Sequence, residues 1–231
     1  MTIGSRTFPD ERDRLTRILA RMGGLAERAF ADAILSLIRR DAELAALVVR
    51  RDGEIDGYED EINDVVVKLL ALHRPVATDL RWMIATLKIA GRVERIGDHA
   101  AGIAERVIAL NQAAAIDPPR IIERMARLAQ GMIKGVLDAL PGLDAETAGA
   151  VRSRDGELGQ LHASLIADLT ARMIDDPRLV PAATHLLFIA RAVTRIGDHS
   201  AVMAGTIAQF AARPAAGQAG AAPAVSGGSL A

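Results

Sequence analysis

Apolar residues recur at steps of three and four along most of the chain, the period of helices that each bury one stripe. Over residues 10–38 the stripe is Leu15, Ile18, Leu19, Met22, Leu25, Ala29, Ala33 and Leu37. A second runs through Leu44, Leu47, Val48, Ile55, Ile62, Val65, Val66, Leu69 and Leu72. It stops before Pro75, because a residue preceding proline is pushed out of the helical region. A third carries Leu80, Met83, Ile84, Leu87, Ala90, Val93, Gly97, Ala100, Ile103, Ala104 and Val107 and ends near Asn111.

Asp117-Pro118-Pro119 restarts the chain, with Asp suited to an N-cap and Pro tolerated in a first turn. Helix four uses Ile122, Met125, Leu128, Met132, Val136 and Leu140 and is broken by Pro141-Gly142. Helix five runs through Leu158, Leu161, Leu165, Leu169 and Met173 to Asp175-Asp176-Pro177, and helix six through Leu186, Ile189, Ala190, Val193, Gly197, Met203 and Ile207. No segment alternates with period two, so no strand is expected.

Short breaks between long amphipathic helices favour antiparallel neighbours. The expected fold class is all-α: six long antiparallel helices in two pseudo-symmetric three-helix bundles, residues 8–112 and 117–212. One continuous six-helix bundle is the alternative. Residues 213–231 are mostly Ala, Gly, Pro, Ser and Gln. That composition buries too little surface to offset ordering entropy, so a disordered tail is expected.

The two halves share a motif. Val93 to Ala100 reads VERIGDHA and Val193 to Ser200 reads VTRIGDHS, identical at six of eight positions. On a helix, Glu94 and Asp98 stand about 40° apart in azimuth and about 6 Å apart in height, so they share a face. Unpaired, such a like-charge couple costs a helix about 0.2–0.5 kcal/mol, which a cation between the two carboxylates reverses. The competing reading is a solvated face with Arg92 and Arg95 as counter-ions.

If helices two and three turn near Pro75, residues at one level have numbers summing to about 150, since both rise about 1.5 Å per residue. Asp52 then faces Asp98, and Asp56 faces Glu94. Four carboxylates at one level favour a hard cation, and Glu59, one turn on, is a further candidate ligand. In the second hairpin, level residues sum to about 353 by the same rise, which sets Asp155 against Asp198 and Gly159 against Thr194. Two of the four acids are missing there, so Asp155 and Asp198 make at most a weaker site.

Composition narrows the chemistry. The 231 residues carry a net charge of −1, and the 28 basic residues, nearly all Arg, are interspersed with acids. No basic stripe for nucleic acid follows from that pattern. With no cysteine, disulfides, thiolate catalysis and iron–sulfur clusters are excluded. Any cation held here is expected to be an oxygen-bound divalent or ferric ion: Fe, Mn, Mg or Zn. No signal peptide stands at residues 1–15 and no stretch of about 20 apolar residues is expected to span a membrane.

His99 and His199 lie about 100° off the carboxylate face and are read as capping or hairpin-contact histidines, not ligands. His73 and His185 receive no role, and Trp82 is a candidate interface residue. No nucleophile–base arrangement or phosphate-cradling glycine loop is present, and a ferritin-like Glu-x-x-His pattern is lacking. Metal storage or metal-dependent hydrolysis is the competing function.

The repeated ERIGDHA-type motif resembles the PhoU family, accessory and regulatory proteins of bacterial high-affinity phosphate uptake. SRTFPDERDRL (5–15), DGEIDGYEDEI (52–62) and RPVATDLRWMIATLKIAGRVERIGDHAAGIAE (74–105) are similar to PhoU segments in the family's order. The resemblance implies two three-helix bundles and acid-x-x-x-Asp motifs that hold metal clusters in some members, falling here on Asp52, Asp56, Glu94 and Asp98. The chain departs from the family at Gly159 and Thr194, and at Gly102 and Val202, where Asn is frequent. It further implies a cytoplasmic negative regulator with no catalysis. The expected partners are the transporter's ATPase subunit, the phosphate-sensing histidine kinase and a second copy of the chain. Membrane contact would come only through partners.

Overall fold

The computed structural model describes residues 8–73, 75, 77–113 and 116–212, so the expected tail at 213–231 lies outside the described residues. The helices are α1 (Phe8–Arg39), α2 (Ala42–His73), α3 (Ala77–Leu110), α4 (Arg120–Ala139), α5 (Ala145–Ser153), α6 (Asp155–Asp175) and α7 (Val180–Ala211). One 3-10 turn, Pro177–Leu179, precedes α7. Among the described residues there is no strand.

The expected stripes are the buried faces. Leu15, Leu19, Met22, Phe30 and Leu37 of α1, Ile55 and Ile62 of α2, and Met83, Ile89, Val93 and Ile103 of α3 are all nearly inaccessible. α1, α2 and α3 pack on one another, and α4, α5 and α6 pack on α7. The groups meet where α3 lies along α7 and α1 touches α4.

The helix expected around Leu158 is realised in two pieces. Asp144 caps α5, accepting from the N–H groups of Glu146 at 2.9 Å and Thr147 at 3.2 Å. At Arg154 the backbone keeps right-handed dihedrals (φ −81°, ψ −15°). Its N–H reaches back three residues to Val151 O at 3.2 Å, a tightened turn that divides α5 from α6. α5 buries only Ala148 and Val151, too few positions to make a visible stripe.

The first helix of each half ends in the same way. Arg40 (φ 53°) after α1 and Leu143 (φ 50°) after α4 adopt left-handed backbone. Asp41 N–H donates to Ser36 O at 2.9 Å and Asp144 N–H to Ala139 O at 3.0 Å, the six-to-one bonds that close a helix C-terminus. Neither residue is glycine, so each half carries a small backbone strain at an equivalent corner.

Close approach explains the glycine of the repeat. A Cβ on Gly97 would stand 2.7 Å from Ile55 Cδ1, and one on Gly197 would stand within van der Waals overlap of Leu158 Cδ2. Gly97 thus lets α3 lie against α2, and Gly197 lets α7 lie against α6.

One expectation needs correction. The segment Pro177–Ala211 is long and apolar enough to span a bilayer by length and composition, with mean hydropathy 1.3 over its most apolar window. Leu186, Ile189, Ala190, Val193 and Ile196 are buried in the bundle, while Val180, Phe188 and Val202 stay exposed. A helix hydrophobic on several sides is what a central core position requires, because α7 faces α3, α4, α5 and α6 at once.

Candidate functional site

Residues near the middle of α2 and α3 bring their acids to one place. One carboxylate oxygen from each of Asp56, Glu94 and Asp98 lies within 4.8 Å of the other two. Oxygens on opposite sides of a small hard cation are separated by about 4–5 Å, so all three carboxylates reach a single ion. The donor set is oxygen only and anionic, which fits Mg, Mn, Fe or oxygen-bound Zn.

The electrostatics show the strain of this grouping. Glu94 is pushed up to about 7, first by burial and then by the Asp98 charge, with Arg95 opposing and Glu59 and Asp56 adding to the rise. Asp52 is also raised, by burial and by Asp56, Asp98 and Glu105 in that order. Asp52 and Glu59 therefore flank the Asp56–Glu94–Asp98 trio on α2. Asp52 Oδ1 approaches the open side of Gly97, and Glu59 Oε1 that of Gly91.

Arg95 is the counter-ion the solvated-face reading asks for. Its Nε is 3.3 Å from Glu94 Oε2 and its guanidinium 3.1 Å from Asp98 Oδ2. The Arg95–Asp98 pair is open to solvent, and such pairs are worth about 0–1 kcal/mol, so it would compete only weakly with a multivalent cation. Arg92 does not serve this face; its guanidinium lies 3.4 Å from His199 Nδ1 across the α3–α7 contact.

The second half has the frame without the acids. Asp155 and Asp198 edge one open groove together with Arg152, and Asp198 Oδ2 is paired with Arg195 at 3.2 Å. Thr194 hydroxyl donates to Ala190 O of its own helix at 3.1 Å. Gly159 offers no side chain. Among the described residues, the Asp56–Glu94–Asp98 trio is the grouping that reaches one ion.

Two further residues belong to these faces. Glu105 stands seven residues beyond Asp98 on the same face of α3, a spacing visible in the sequence. His162 occupies in α6 the place Glu59 has in α2, and feels the Asp198 charge; burial and Arg191 nonetheless lower its pKa. His99 and His199 stack with centroids 5.3 Å apart and planes 20° from parallel. Burial holds both below the usual histidine value, His199 down to about 4 with His99 and Arg92 adding to the effect. The lowered pKa values favour the neutral form of both rings, with the Arg92 guanidinium beside His199 Nδ1.

Trp82 packs partly against the core, under the Arg12 guanidinium. His73 has no described side chain, and His185 sits within α7 among core residues. Among the described residues, no hydrogen bond joins a nucleophile to a base beside the acids.

Known proteins share the sequence and the fold of both halves. The PhoU domain model matches residues 19–107 and again 122–207, one copy in each half. A "phosphate-specific transport system accessory protein PhoU homolog" of Caulobacter vibrioides is 41% identical over 206 residues, covering 87% of this chain and 88% of that one. A homolog of the same name from Rhizobium meliloti is 37% identical over 203 residues, 87% of this chain and 85% of that one. The crystal structure of PhoU from Pseudomonas aeruginosa superposes with a TM-score of 0.86 at 30% identity, over 89% of this chain and 99% of that one. That from Streptococcus pneumoniae gives 0.83 at 27% identity, over 89% and 97%. With the family's domain found in both halves and relatives matched over most of their length, the chain belongs to the PhoU family.

Proposed function

We propose that the chain is a cytoplasmic accessory protein of phosphate-specific transport that restrains phosphate uptake and the phosphate-starvation response. It does so by binding the transporter's ATPase subunit and the phosphate-sensing histidine kinase, acting as a homodimer and meeting the membrane only through them. The observation that carries this is the 41% identity to a named transport-system accessory protein over 87% of the chain. Long rigid helices without catalytic groups suit contact with partners, and the family's members are accessory proteins, not enzymes.

The carboxylates give this surface a variable charge. Asp56, Glu94 and Asp98 would hold a divalent or ferric ion, with Asp52 and Glu59 beside it. The ion supplies positive charge and a bridge between α2 and α3. Filling the site would make a repelling acidic patch less negative, which changes partner preference without chemistry. Storage and hydrolysis are less favoured, since one three-carboxylate group has little capacity and no nucleophile stands beside it.

Deleting the gene should raise phosphate-starvation gene expression in phosphate-replete cells, and the full chain should co-purify with the ATPase subunit or the sensor kinase. Unchanged phosphate control together with no binding to either partner would sink the proposal.

A further inference from the structure

Away from the acids, at the other end of α3, a second arrangement is built from cations and rings. The first turns of α1 and α3, the α4–α5 turn and the last turns of α7 enclose a hollow of about 280 Å3, open on one side. Arg12, Arg81 and Lys88 stand in its wall with a single acid, Asp79. Arg81 and Lys88 are two turns apart on one face of α3, and the small Ala85 between them leaves the space open.

What distinguishes these three cations is that they share one concavity while none of them is neutralised by a carboxylate. Arg14, Arg95, Arg127, Arg172, Arg178 and Arg195 each have a carboxylate oxygen within reach. Among the described residues, Arg12, Arg81 and Lys88 have none within 4.0 Å. Arg12 is instead held over the Trp82 ring, 5.1 Å from its centroid. In a chain of net charge −1, an excess of two positive charges is thus concentrated on one concave surface. The rings of Trp82 and Phe210 line the same hollow.

We propose that this hollow binds a phosphate monoester carrying a planar ring, of the size of a nucleoside monophosphate. A phosphate monoester bears about 1.5 to 2 negative charges at neutral pH, which matches the local excess. Arginine presents a fork of N–H donors to phosphate oxygens, and lysine a mobile point charge. The ring stacks or packs edge-on against the aromatic side chains. The volume lies at the small end of ligand sites, about 300 Å3, and is too small for a dinucleotide. The site is independent of the regulatory role and of the carboxylates on α2 and α3.

Trp82 is the chain's single tryptophan and lines both this hollow and a neighbouring one, so its fluorescence reports on this corner of the fold, and variants of Arg81 and Lys88, which line only the first, tell the two apart. Titrating the full chain with AMP should change Trp82 emission and give saturable heat in calorimetry. R81Q and K88E should each weaken AMP by about tenfold or more, while K134E, on the exposed face of α4, should leave it unchanged. Adenosine should fail to bind, and inorganic phosphate should bind at least about tenfold more weakly. Circular dichroism of each variant checks that it remains folded. No AMP binding, equal binding of inorganic phosphate, or equal loss in K134E would each overturn the proposal.

Discussion

His99 stacks on His199 at 5.3 Å, so residues one hundred positions apart in the repeated Gly-Asp-His segment meet face to face where α3 lies along α7. The repeat is thereby placed on its own pseudo-symmetry axis. The same segment supplies the glycine that admits the neighbouring helix, the aspartate of the acidic face and the histidine that joins the halves. Its environment is nonetheless unequal: Arg92 reaches His199, whereas the position corresponding to Arg92 is Ala192.

The neutral histidine pair sets a pH dependence. A histidine whose folded pKa lies below its unfolded value binds fewer protons when folded, so its stabilisation is present above about 6.5 and is lost as pH falls toward about 4 for His199. Glu94 acts in the opposite sense, because its raised pKa makes its contribution fullest below the unfolded value and lost as pH rises through about 7. Denaturant melts between pH 4 and 7 should show H199N with a weaker acid loss than the parent. An identical pH profile for the two would contradict this account.

Cation binding should follow Glu94. The ligand must be ionised to bind a metal, so affinity for Mn²⁺ should rise with pH through about 7, with proton release on binding. Calorimetry in buffers of different ionisation enthalpy measures the released proton. A flat affinity between pH 6 and 8 would show that Glu94 is not a ligand.

The unequal halves make a mutational prediction. Replacing Asp56, Glu94 and Asp98 by Ala should abolish most cation binding, and replacing Asp52 or Glu59 should weaken it. Replacing Asp155 and Asp198 should change it little, because those acids lack a third carboxylate. Metal content after dialysis is the measurement, and equal losses from both sets would refute the asymmetry.

How the sequence announced this fold depends on the distance over which each feature acts. Helix faces and the pairing of α2 with α3 follow from local periodicity and a proline-marked turn. Gly97 meets Ile55 and Gly197 meets Leu158, each within one turn of the level that register sets. The laying of α3 on α7 has no local signature, so the fate of Arg92 and the stacking of the histidines stayed hidden. The small α5 was obscured by its two buried residues. Glu105 and His162 were legible in principle, from a seven-residue step and from the correspondence between α2 and α6, but each needs the first site as a template.

The repeat glycines give a stability test. A methyl at Gly197 meets the end of the buried Leu158 side chain. Overpacking costs about 1–3 kcal/mol, while Ala gains about 1 kcal/mol of helix propensity over Gly. G197A should thus lose about 1 kcal/mol net. L158A alone should cost about 2–5 kcal/mol through its cavity, yet the double variant should be more stable than the sum of the two losses, since the new methyl occupies vacated space. Additive losses in denaturant melts would show that the helices separate instead of repacking.

The absence of a second three-carboxylate group should be reversible, because the backbone frame is already present. A Cβ on Gly159 meets no atom within 4 Å, so the first atom of an aspartate side chain enters open space, and α6 gains helix propensity from losing a glycine. Thr194 stands where Glu94 stands in the first half, and its hydroxyl bond to Ala190 O satisfies only its own side chain, so its loss leaves no backbone group unpaired. T194E with G159D would set acids beside Asp198 and Asp155 on the pattern of Glu94, Asp56, Asp98 and Asp52. His162 stands in place of Glu59 and offers a nitrogen donor that favours transition metals over Mg²⁺. The double variant should therefore bind one additional Mn²⁺ or Zn²⁺, and removal of Asp198 should abolish that addition while leaving the first site intact. Without metal, the added like charges should lower stability slightly, by about 0.2–0.5 kcal/mol per pair. If the doubly substituted protein stays folded and its metal stoichiometry does not rise, the correspondence between the two faces is wrong and the second half is a scaffold with no latent site.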